Sequence, residues 1–143
     1  YDYQDNTFHS HPGYYIDYFE MRLAQLQVLH NLHYEIKKIR KMPKQALVIA
    51  DYIMYMADYV VEMNIPDQQI EKLEEISEQM KQEELPKTRD EFEGRALLYH
   101  ILMDLEEFLV YKKRFVNGLD EKKLRIYWNQ EMEQKDRENE LQE

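Results

Sequence analysis

Histidine and carboxylate side chains are the residues of this sequence best suited to metal chemistry, because on helices they supply the usual ligands of iron, manganese and zinc. The chain has five histidines, which are His9, His11, His30, His33 and His100. A di-iron helical bundle needs a glutamate three residues before such a histidine, and none of the five has one. The histidine pattern therefore argues against the usual di-iron site.

Zinc ligation from a single helical face is the remaining metal alternative. His30 with His33 supplies two ligands. His100 with Asp104 and Glu107 supplies three, whereas a structural zinc site needs four. A hydrogen bond from His100 to Asp104, one helical turn later, is the simpler interpretation of the second set. We therefore predict no metal and no other cofactor.

The sequence contains none of the common catalytic or nucleotide-binding motifs. It has no nucleophile with an adjacent base, no glycine-rich phosphate-binding loop and no dinucleotide fingerprint, and it lacks cysteine. Its 29 acidic residues are abundant, but abundance does not indicate a carboxylate pair tuned for acid–base catalysis. We predict that the chain is not an enzyme.

Three tyrosines, Tyr52, Tyr55 and Tyr59, follow one another at spacings of three and four residues along one edge of a predicted helix. Such a row suits stacking against an aromatic ligand, so a ligand-sensing module that binds a small aromatic carboxylate is the alternative functional prediction. Most tyrosine rows instead cover a hydrophobic core while their hydroxyl groups stay in water. The spacing is compatible with both interpretations.

The composition predicts an all-α domain. Only three of the 143 residues are Gly and four are Pro, and the chain is rich in Leu, Glu, Lys, Gln and Met. A domain of this length buries roughly two thirds of the surface that its unfolded chain exposes, so it needs neither a disulfide nor a metal to fold. The formal net charge of −10 argues against nonspecific nucleic-acid binding, and we predict no nucleic-acid partner.

Hydrophobic periodicity and helix-end signals predict an antiparallel bundle of four main helices plus a C-terminal fifth helix. The four main helices are predicted over residues 14–41, 43–64, 67–84 and 88–118. Thr88 and Glu91 have the spacing of a capping box at the start of the fourth helix, and Gly118 suits a left-handed residue at its end. The predicted organisation is a linker at 1–13, the bundle at 14–118, and a C-terminal helix with a polar tail at 119–143.

Apolar residues at spacings of three and four predict the buried faces of the first two helices. On the first helix these residues are Ile16, Phe19, Leu23, Leu26, Leu29, Leu32, Ile36 and Ile39. On the second helix they form two adjoining rows, Leu47, Ala50, Met54, Ala57 and Val61 beside Ile49, Ile53, Met56 and Val60. The second helix is therefore predicted to be heavily buried.

The fourth helix carries two apolar rows on different sides, whereas a surface helix needs only one. One row is Leu98, Ile101, Leu102, Leu105, Phe108 and Leu109. The other, named here the assembly row, is Phe92, Ala96, Tyr99, Met103 and Val110. Two rows predict either a helix enclosed within its own chain or one that uses the second row to pair with another subunit. We expect a homo-oligomer, most simply a dimer.

Six basic residues lie around the predicted turn between the fourth and fifth helices, and they are named here the basic patch: Lys112, Lys113, Arg114, Lys122, Lys123 and Arg125. In an up-and-down bundle this turn shares one end with the N terminus. If the N terminus leads to a membrane span, the basic patch faces anionic headgroups, where each cation contributes about 1 kcal/mol. Capping of helix ends and neutralisation of nearby carboxylates explain the same residues equally well.

Two segments of the chain are similar to a known family. The runs PKTRDEFEGRALLYHILMDLEEFLVYKKRF and YYIDYFEMRLAQL resemble the C-terminal soluble region of the bacterial aromatic acid exporter family, and the resemblance covers residues 13–118. It implies a membrane protein whose N-terminal half spans the bilayer. Its motifs are patterns of helix and turn, not catalytic signatures.

The longest apolar stretch, residues 46–61, contains Asp51 and Asp58 and falls short of the roughly 20 residues that span a bilayer. The membrane attachment that the resemblance implies would therefore come from an N-terminal transmembrane region missing from this sequence. The expected function is that of a noncatalytic domain on the cytoplasmic face of the bacterial cell membrane, acting in subunit assembly or in the regulation of transport.

Overall fold

Helices account for the regular structure of the residues that the computed structural model describes, which are 12–39, 43–119, 121–124, 126 and 128. Four are long, namely α1 (Pro12–Lys37), α2 (Ala46–Ala57), α3 (Asp67–Lys81) and α4 (Arg89–Asn117), and α5 (Glu121–Leu124) is a single turn. Those residues contain no strand. The all-α prediction is therefore confirmed for the described part of the chain.

Helix α4 begins at the capping pair that the sequence predicts. Thr88 has an extended backbone, and its hydroxyl accepts a hydrogen bond from the Glu91 N–H at 3.1 Å. The Glu91 carboxylate accepts from the Lys87 N–H at 2.9 Å, so side chains satisfy two N–H groups near the helix start. At the other end, Gly118 is right-handed (φ −77°) because the chain continues in a tight turn with its N–H bonded to Arg114. The prediction of a left-handed glycine was wrong.

Helices α1 and α4 lie side by side and run antiparallel. The Gln25 side chain of α1 contacts the Phe108 carbonyl of α4, and ten residues later Glu35 contacts His100. Later residues of α1 thus contact earlier residues of α4, as antiparallel helices require.

Helix α3 packs antiparallel to α4 on another side. Asp67, the first residue of α3, pairs with Lys113 near the end of α4, whereas the Glu84 carbonyl, just after α3, accepts from Arg95 near the start of α4. Helix α2 precedes α3 and packs against it, with Tyr52 bonded to the Gln69 main chain. The four long helices form a bundle in which α1 and α3 both run antiparallel to α4.

The hydrophobic core is centred on α4, whose buried side chains meet those of the three other long helices. Its members include Leu98, Ile101, Leu102, Leu105, Phe108 and Leu109 of α4, with Val28, Leu32, Ile49, Tyr52, Met56, Leu73, Ile76 and Met80 of the other helices. A smaller cluster, Tyr14, Met21, Phe115, Val116 and Trp128, joins the start of α1 to the end of α4. Since each fully buried large apolar side chain contributes about 1.5–3 kcal/mol, these clusters supply most of the stability.

Helix α1 buries a different row from the one that its apolar spacing predicts. The buried side chains are Tyr14, Met21, Gln25, Val28, Leu32 and Glu35. Ile16, Phe19, Leu23 and Leu26 lie on the opposite side of the helix and are 53–64% exposed. The predicted buried face was therefore wrong for most of α1, because Leu29 and Ile36 are exposed as well; of the predicted row, only Leu32 is buried, and Ile39 is half-buried. Both faces are apolar there, and the buried one also satisfies Gln25 and Tyr14 through hydrogen bonds to other elements.

Helix α2 is shorter and more exposed than predicted. It ends at Ala57 instead of Asn64, because the following N–H groups bond three residues back in tight turns. The carbonyl groups of Val61 and Glu62 in that segment accept hydrogen bonds from the Lys112 ammonium group instead of helical N–H groups. Of its two predicted rows, the one beginning at Leu47 faces solvent, while Ile49 and Met56 of the other row are buried.

Within the described residues, the predicted fifth helix is represented by the single turn α5, and apart from Ile126 and Trp128 the rest of that prediction lies outside them. The rest of the polar tail lies outside the described residues, as does the predicted linker apart from Pro12 and Gly13, which belong to α1. Among the helices that the structure describes, none combines the length and apolar character needed to span a membrane.

Candidate functional site

Three ionisable side chains meet between α1 and α4. His100 Nε2 lies 2.8 Å from Glu35 Oε1, and Asp104 follows His100 by one helical turn. One ligand-type atom from each of the three residues lies within 4.8 Å of the other two. The Glu35 side chain is 11% exposed and the His100 side chain 57% exposed, and Asp104 as a whole residue is 8% exposed. These three residues are named here the carboxylate–histidine cluster.

The fold positions this cluster through the register of α1 on α4. Gln25 lies in the same buried row as Glu35, and its Nε2 donates to the Phe108 carbonyl at 2.8 Å. Because the two helices are antiparallel, this contact places Glu35 opposite the turn of α4 that contains His100 and Asp104. Two carboxylates from different helices are thereby held together inside the bundle.

The electrostatics of the cluster favour an added positive charge. Burial and the neighbouring Asp104 carboxyl both raise the pKa of Glu35, and His100 and Lys38 lower it by smaller amounts. Glu35 Oε2 and Asp104 Oδ2 are buried with no hydrogen-bond donor among the described residues. Two ionised carboxylates cannot hydrogen bond to each other, so these oxygens require a proton or a cation between them.

Sequence reasoning found two members of this cluster and missed the third. His100 and Asp104 were grouped with Glu107, but Glu107 is exposed and accepts a hydrogen bond from the Tyr111 hydroxyl at 3.2 Å. Glu35 on α1 takes its place. The sequence could have indicated Glu35, because it lies on the same face of α1 as Gln25.

The other pair considered for zinc remains at the surface. His30 and His33 are both exposed on α1. The His30 ring packs edge-on against Tyr34, with 5.0 Å between the ring centroids. The structure does not bring this pair near a carboxylate to form a group of three ligands within the described residues.

The three tyrosines of the predicted ligand row lie side by side, with ring centroids 5.8 Å apart for Tyr52 and Tyr55 and 5.1 Å apart for Tyr55 and Tyr59. Tyr52 is buried, which raises its pKa, and its hydroxyl donates to the Gln69 main-chain oxygen at 2.6 Å. The Lys72 ammonium lies 3.9 Å from the centre of the Tyr55 ring. The cavity beside Tyr59 measures about 10 Å³, room for one water molecule. Binding of an aromatic carboxylate here stays a prediction.

The basic patch is only partly an exposed surface. Three of its six members are exposed, namely Lys113, Arg114 and Lys123. Lys113 also pairs with Asp67 at 3.1 Å. The side chain of Lys122 and the whole of Arg125 lie outside the described residues.

Lys112, the remaining member of the basic patch, is buried and points into the bundle, so its assignment to a membrane-facing surface was wrong. Its Nζ donates to the carbonyl oxygens of Val61 at 2.8 Å and Glu62 at 2.5 Å. Burial lowers the pKa of Lys112 to about 8, with a further lowering from Arg22 and an opposing effect of Glu62. The cation ties α4 to the irregular segment after α2.

Three members of the assembly row of α4 face away from the core, whereas Tyr99 packs partly against it. Phe92 and Met103 are 62% and 66% exposed, and Ala96 is also exposed. Tyr99 and Val110 are half-buried. Of the two alternatives that the sequence left open, the described residues do not enclose α4 on all sides, and pairing with another subunit stays a prediction.

This geometry defines the class of the molecule as a small antiparallel helical-bundle domain with apolar rows open to the outside. The family model described as "putative aromatic acid exporter C-terminal domain" matches residues 1–113 of the chain. Because the match covers well over half of the sequence, the chain belongs to this family. The resemblance seen in the sequence is confirmed, and the family is described as a domain of exporters, not of enzymes.

The chain is also similar to "Uncharacterized protein YqjA" of Bacillus subtilis (strain 168). The two are 31% identical over 98 residues, which are 68% of this chain and 30% of that protein. The matched region thus spans less than a third of the length of this relative. No solved structure matches the chain.

Proposed function

We propose that this chain is a noncatalytic domain on the cytoplasmic face of a bacterial membrane transport protein, where it assembles subunits and thereby regulates transport. The family to which the chain belongs supplies the exporter context. One observation carries the assembly role, namely that α1 and α4 both expose an apolar row on the side away from the core.

The exposed residues of α1 form a continuous row. Ile16, Phe19, Leu23 and Leu26, named here the α1 row, are each more than half exposed and occupy successive turns of one helix face. Single exposed apolar side chains are common on soluble proteins, but a contiguous apolar stripe is typical of an interaction surface. The assembly row of α4 has the same character.

A second copy of the chain is the partner that these rows fit. Spacings of three, four and three residues in the α1 row are those of a coiled-coil seam, in which two such helices interlock their side chains. Twofold symmetry, the commonest in oligomers, would bring the same row of each copy together. The assembly row of α4, at spacings of four, three and four up to Met103, would extend the contact or form a second one.

The mass of the chain in solution, measured by light scattering over a concentration series, tests this proposal. We expect a dimer or higher oligomer that the double substitution Leu23→Glu, Leu26→Glu converts to a monomer. Met103→Glu tests the α4 row in the same way. All three positions are exposed, so circular dichroism should report an unchanged helix content.

Met54→Glu is the matched control, because Met54 is an equally exposed apolar residue on α2, outside both rows. It should leave the mass unchanged. A chain that stays monomeric at every concentration would contradict the proposal, and dissociation by Met54→Glu alone would show that α2 provides the contact instead.

The proposed function also implies which end of the bundle faces the membrane. Trp128 Nε1 donates to the Tyr14 hydroxyl oxygen at 3.1 Å, and the rings of Tyr14 and Phe115 have centroids 5.5 Å apart. The start of α1 and the end of α4 therefore share one end of the bundle. If membrane spans precede residue 1 in the whole protein, this end faces the bilayer.

The exposed cations at that end, Lys113, Arg114 and Lys123, would then lie near lipid headgroups. We expect the chain to co-sediment with anionic vesicles more than with neutral ones, and replacement of all three by Gln to remove the difference. Lys44, Lys81 and Lys87, exposed near the opposite end, provide the matched triple-Gln control. Equal binding to both kinds of vesicle, or equal losses in the two triple variants, would exclude this orientation.

A further inference from the structure

The carboxylate–histidine cluster has no part in the assembly role proposed above. Glu35 and Asp104 are each 8% exposed as whole residues, the Glu35 side chain is 11% exposed, and one oxygen of each carboxylate is buried with no hydrogen-bond donor among the described residues. A buried polar group without a hydrogen bond destabilises the folded chain, and a charged one does so more strongly. Two such oxygens beside an imidazole therefore indicate a ligand, not only a packing contact.

We propose that Glu35, His100 and Asp104 bind a divalent transition-metal ion of the Zn²⁺ or Mn²⁺ class between α1 and α4. This departs from the sequence-based expectation of no metal, which considered ligands from one helical face only. The structure supplies the missing ligand from a second helix.

The donor set selects the class of ion. Carboxylate oxygen and imidazole nitrogen are both ordinary ligands of Zn²⁺, and the two donor types together also suit Mn²⁺ and Fe²⁺. Mg²⁺ and Ca²⁺ take oxygen ligands, so the imidazole disfavours them. Three protein ligands leave at least one coordination position for water.

The cluster is close to the geometry that such an ion requires. Ligand atoms bound to one tetrahedral ion at 2.0–2.1 Å lie about 3.3 Å apart. Here the His100 Nε2 to Glu35 Oε1 distance is 2.8 Å, and the three ligand atoms lie within 4.8 Å of one another. Two ligand atoms at the 4.8 Å limit would have to approach each other by roughly 1.5 Å. Small rotations about side-chain bonds are enough for this movement.

The burial pattern also provides an entry path. The two carboxylates are enclosed by the bundle, while the His100 ring is 57% exposed at its edge. An ion can therefore enter from solvent at the imidazole and keep a water ligand there. Once bound, it would clamp α1 to α4 and stabilise the folded chain in proportion to its free concentration.

A proton shared by Glu35 and Asp104 is the competing explanation for the two unpaired oxygens. The two explanations differ in the role of His100, because a shared proton does not require the imidazole, whereas a metal ion uses it as a ligand. A shared proton therefore predicts no specific binding of Zn²⁺ or Mn²⁺ at the cluster, whereas a metal site predicts binding that His100→Gln weakens.

The experiment is a calorimetric titration of the chelator-treated 143-residue chain with ZnCl2, MnCl2 and MgCl2. We expect one site per chain for Zn²⁺ and Mn²⁺, a raised melting temperature with either ion, and little response to Mg²⁺. Glu35→Gln, His100→Gln and Asp104→Asn should each weaken binding by at least about tenfold, since even changes to outer-shell groups cost that much at metal sites. These variants preserve side-chain size, and circular dichroism checks their folding.

Two controls test whether surface ligands alone account for binding. His33→Gln removes an exposed imidazole on α1, and Glu107→Gln removes an exposed carboxylate close to Asp104 in sequence. Both should leave the affinity unchanged. In addition, paramagnetic Mn²⁺ should broaden the nuclear magnetic resonance signals of the His100 ring before those of His30 and His33.

Three results would each overturn the proposal. One is the absence of Zn²⁺ and Mn²⁺ binding to the unmodified chain. Another is binding that survives His100→Gln, which would place the ion outside the carboxylate–histidine cluster. The third is binding that His33→Gln abolishes, which would place the ion at the surface of α1.

Discussion

Lys112 Nζ donates a hydrogen bond to the main-chain oxygen of Val61 at 2.8 Å, across 51 residues of chain, and the Lys112 side chain is almost wholly buried. A second bond reaches the oxygen of Glu62. Both oxygens belong to the segment after α2, where the helical donors that would satisfy them are missing. One cation thus replaces helical hydrogen bonds, and the cost of burying it lowers its pKa from 10.5 to about 8.

The stability of the chain should rise with pH because of Lys112. In the unfolded chain the lysine keeps its proton up to about pH 10.5, whereas the folded chain releases it near pH 8. Between these values the unfolded state binds more protons, so the free energy of unfolding increases by up to roughly 3 kcal/mol. Below pH 8 both states are protonated and this contribution is constant. Urea unfolding at a series of pH values from 7 to about 10.5 measures it.

Lys112→Met isolates this contribution, because it keeps most of the side-chain volume and removes the titrating group. The difference in unfolding free energy between the unmodified chain and this variant should grow with pH across the window. Lys113→Met, one residue away at the surface, should not change the pH dependence. A pH dependence that Lys112→Met leaves intact would assign it to another group.

Tyr52→Phe should destabilise the chain by about 1–2 kcal/mol. The Tyr52 hydroxyl is buried and donates to the Gln69 main-chain oxygen at 2.6 Å, so its loss removes a buried hydrogen bond between α2 and α3. Tyr59→Phe is the matched control, because the Tyr59 side chain is 40% exposed. Chemical unfolding of both variants gives the comparison, and equal effects would mean that the Tyr52 bond contributes nothing beyond packing.

The parts of this fold that could be predicted from sequence are those with a local cause. The start of α4 follows from Thr88 and Glu91, which lie three residues apart and bond to nearby backbone. The buried row of α4 also follows from apolar spacing, because Leu98, Leu102 and Leu105 belong to a row of large aliphatic side chains and all three are buried.

The remaining parts depend on contacts between helices. Helix α1 has apolar residues on two opposite faces, so its period does not determine which face meets α4. Lysine is usually found at the surface of a protein. The burial of Lys112 is explained only by the main-chain carbonyl groups of the irregular segment after α2, to which its ammonium group donates. Glu35 belongs to the candidate site because the register of α1 on α4 places it beside His100. Spacing within one helix carries no information about that register.

Glu35→Gln should stabilise the metal-free chain by about 1 kcal/mol. A glutamine at this position can accept from His100 with its oxygen and donate to the unpaired Asp104 oxygen with its amide nitrogen. It also removes one of two facing buried carboxyls, whose mutual effect and burial raise the pKa of Glu35. Thermal unfolding at pH 8 with a chelator present tests this prediction. Glu107→Gln, an exposed position, should change nothing, and a clear loss of stability in Glu35→Gln would contradict the geometry of the cluster.

Two alanine substitutions on α1 test which face of this helix lies in the core. Val28 is buried at 4% exposure, and Leu26, two residues earlier, is 60% exposed. Val28→Ala should therefore cost roughly 2 kcal/mol of unfolding free energy, because it opens a cavity against α4. Leu26→Ala should cost less than about 0.5 kcal/mol, although it removes the larger side chain. Urea unfolding in dilute solution, where association through the α1 row contributes least, measures both values. The reverse order would mean that the apolar row Ile16, Phe19, Leu23 and Leu26 packs inward, and the assembly surface proposed for α1 would then not exist.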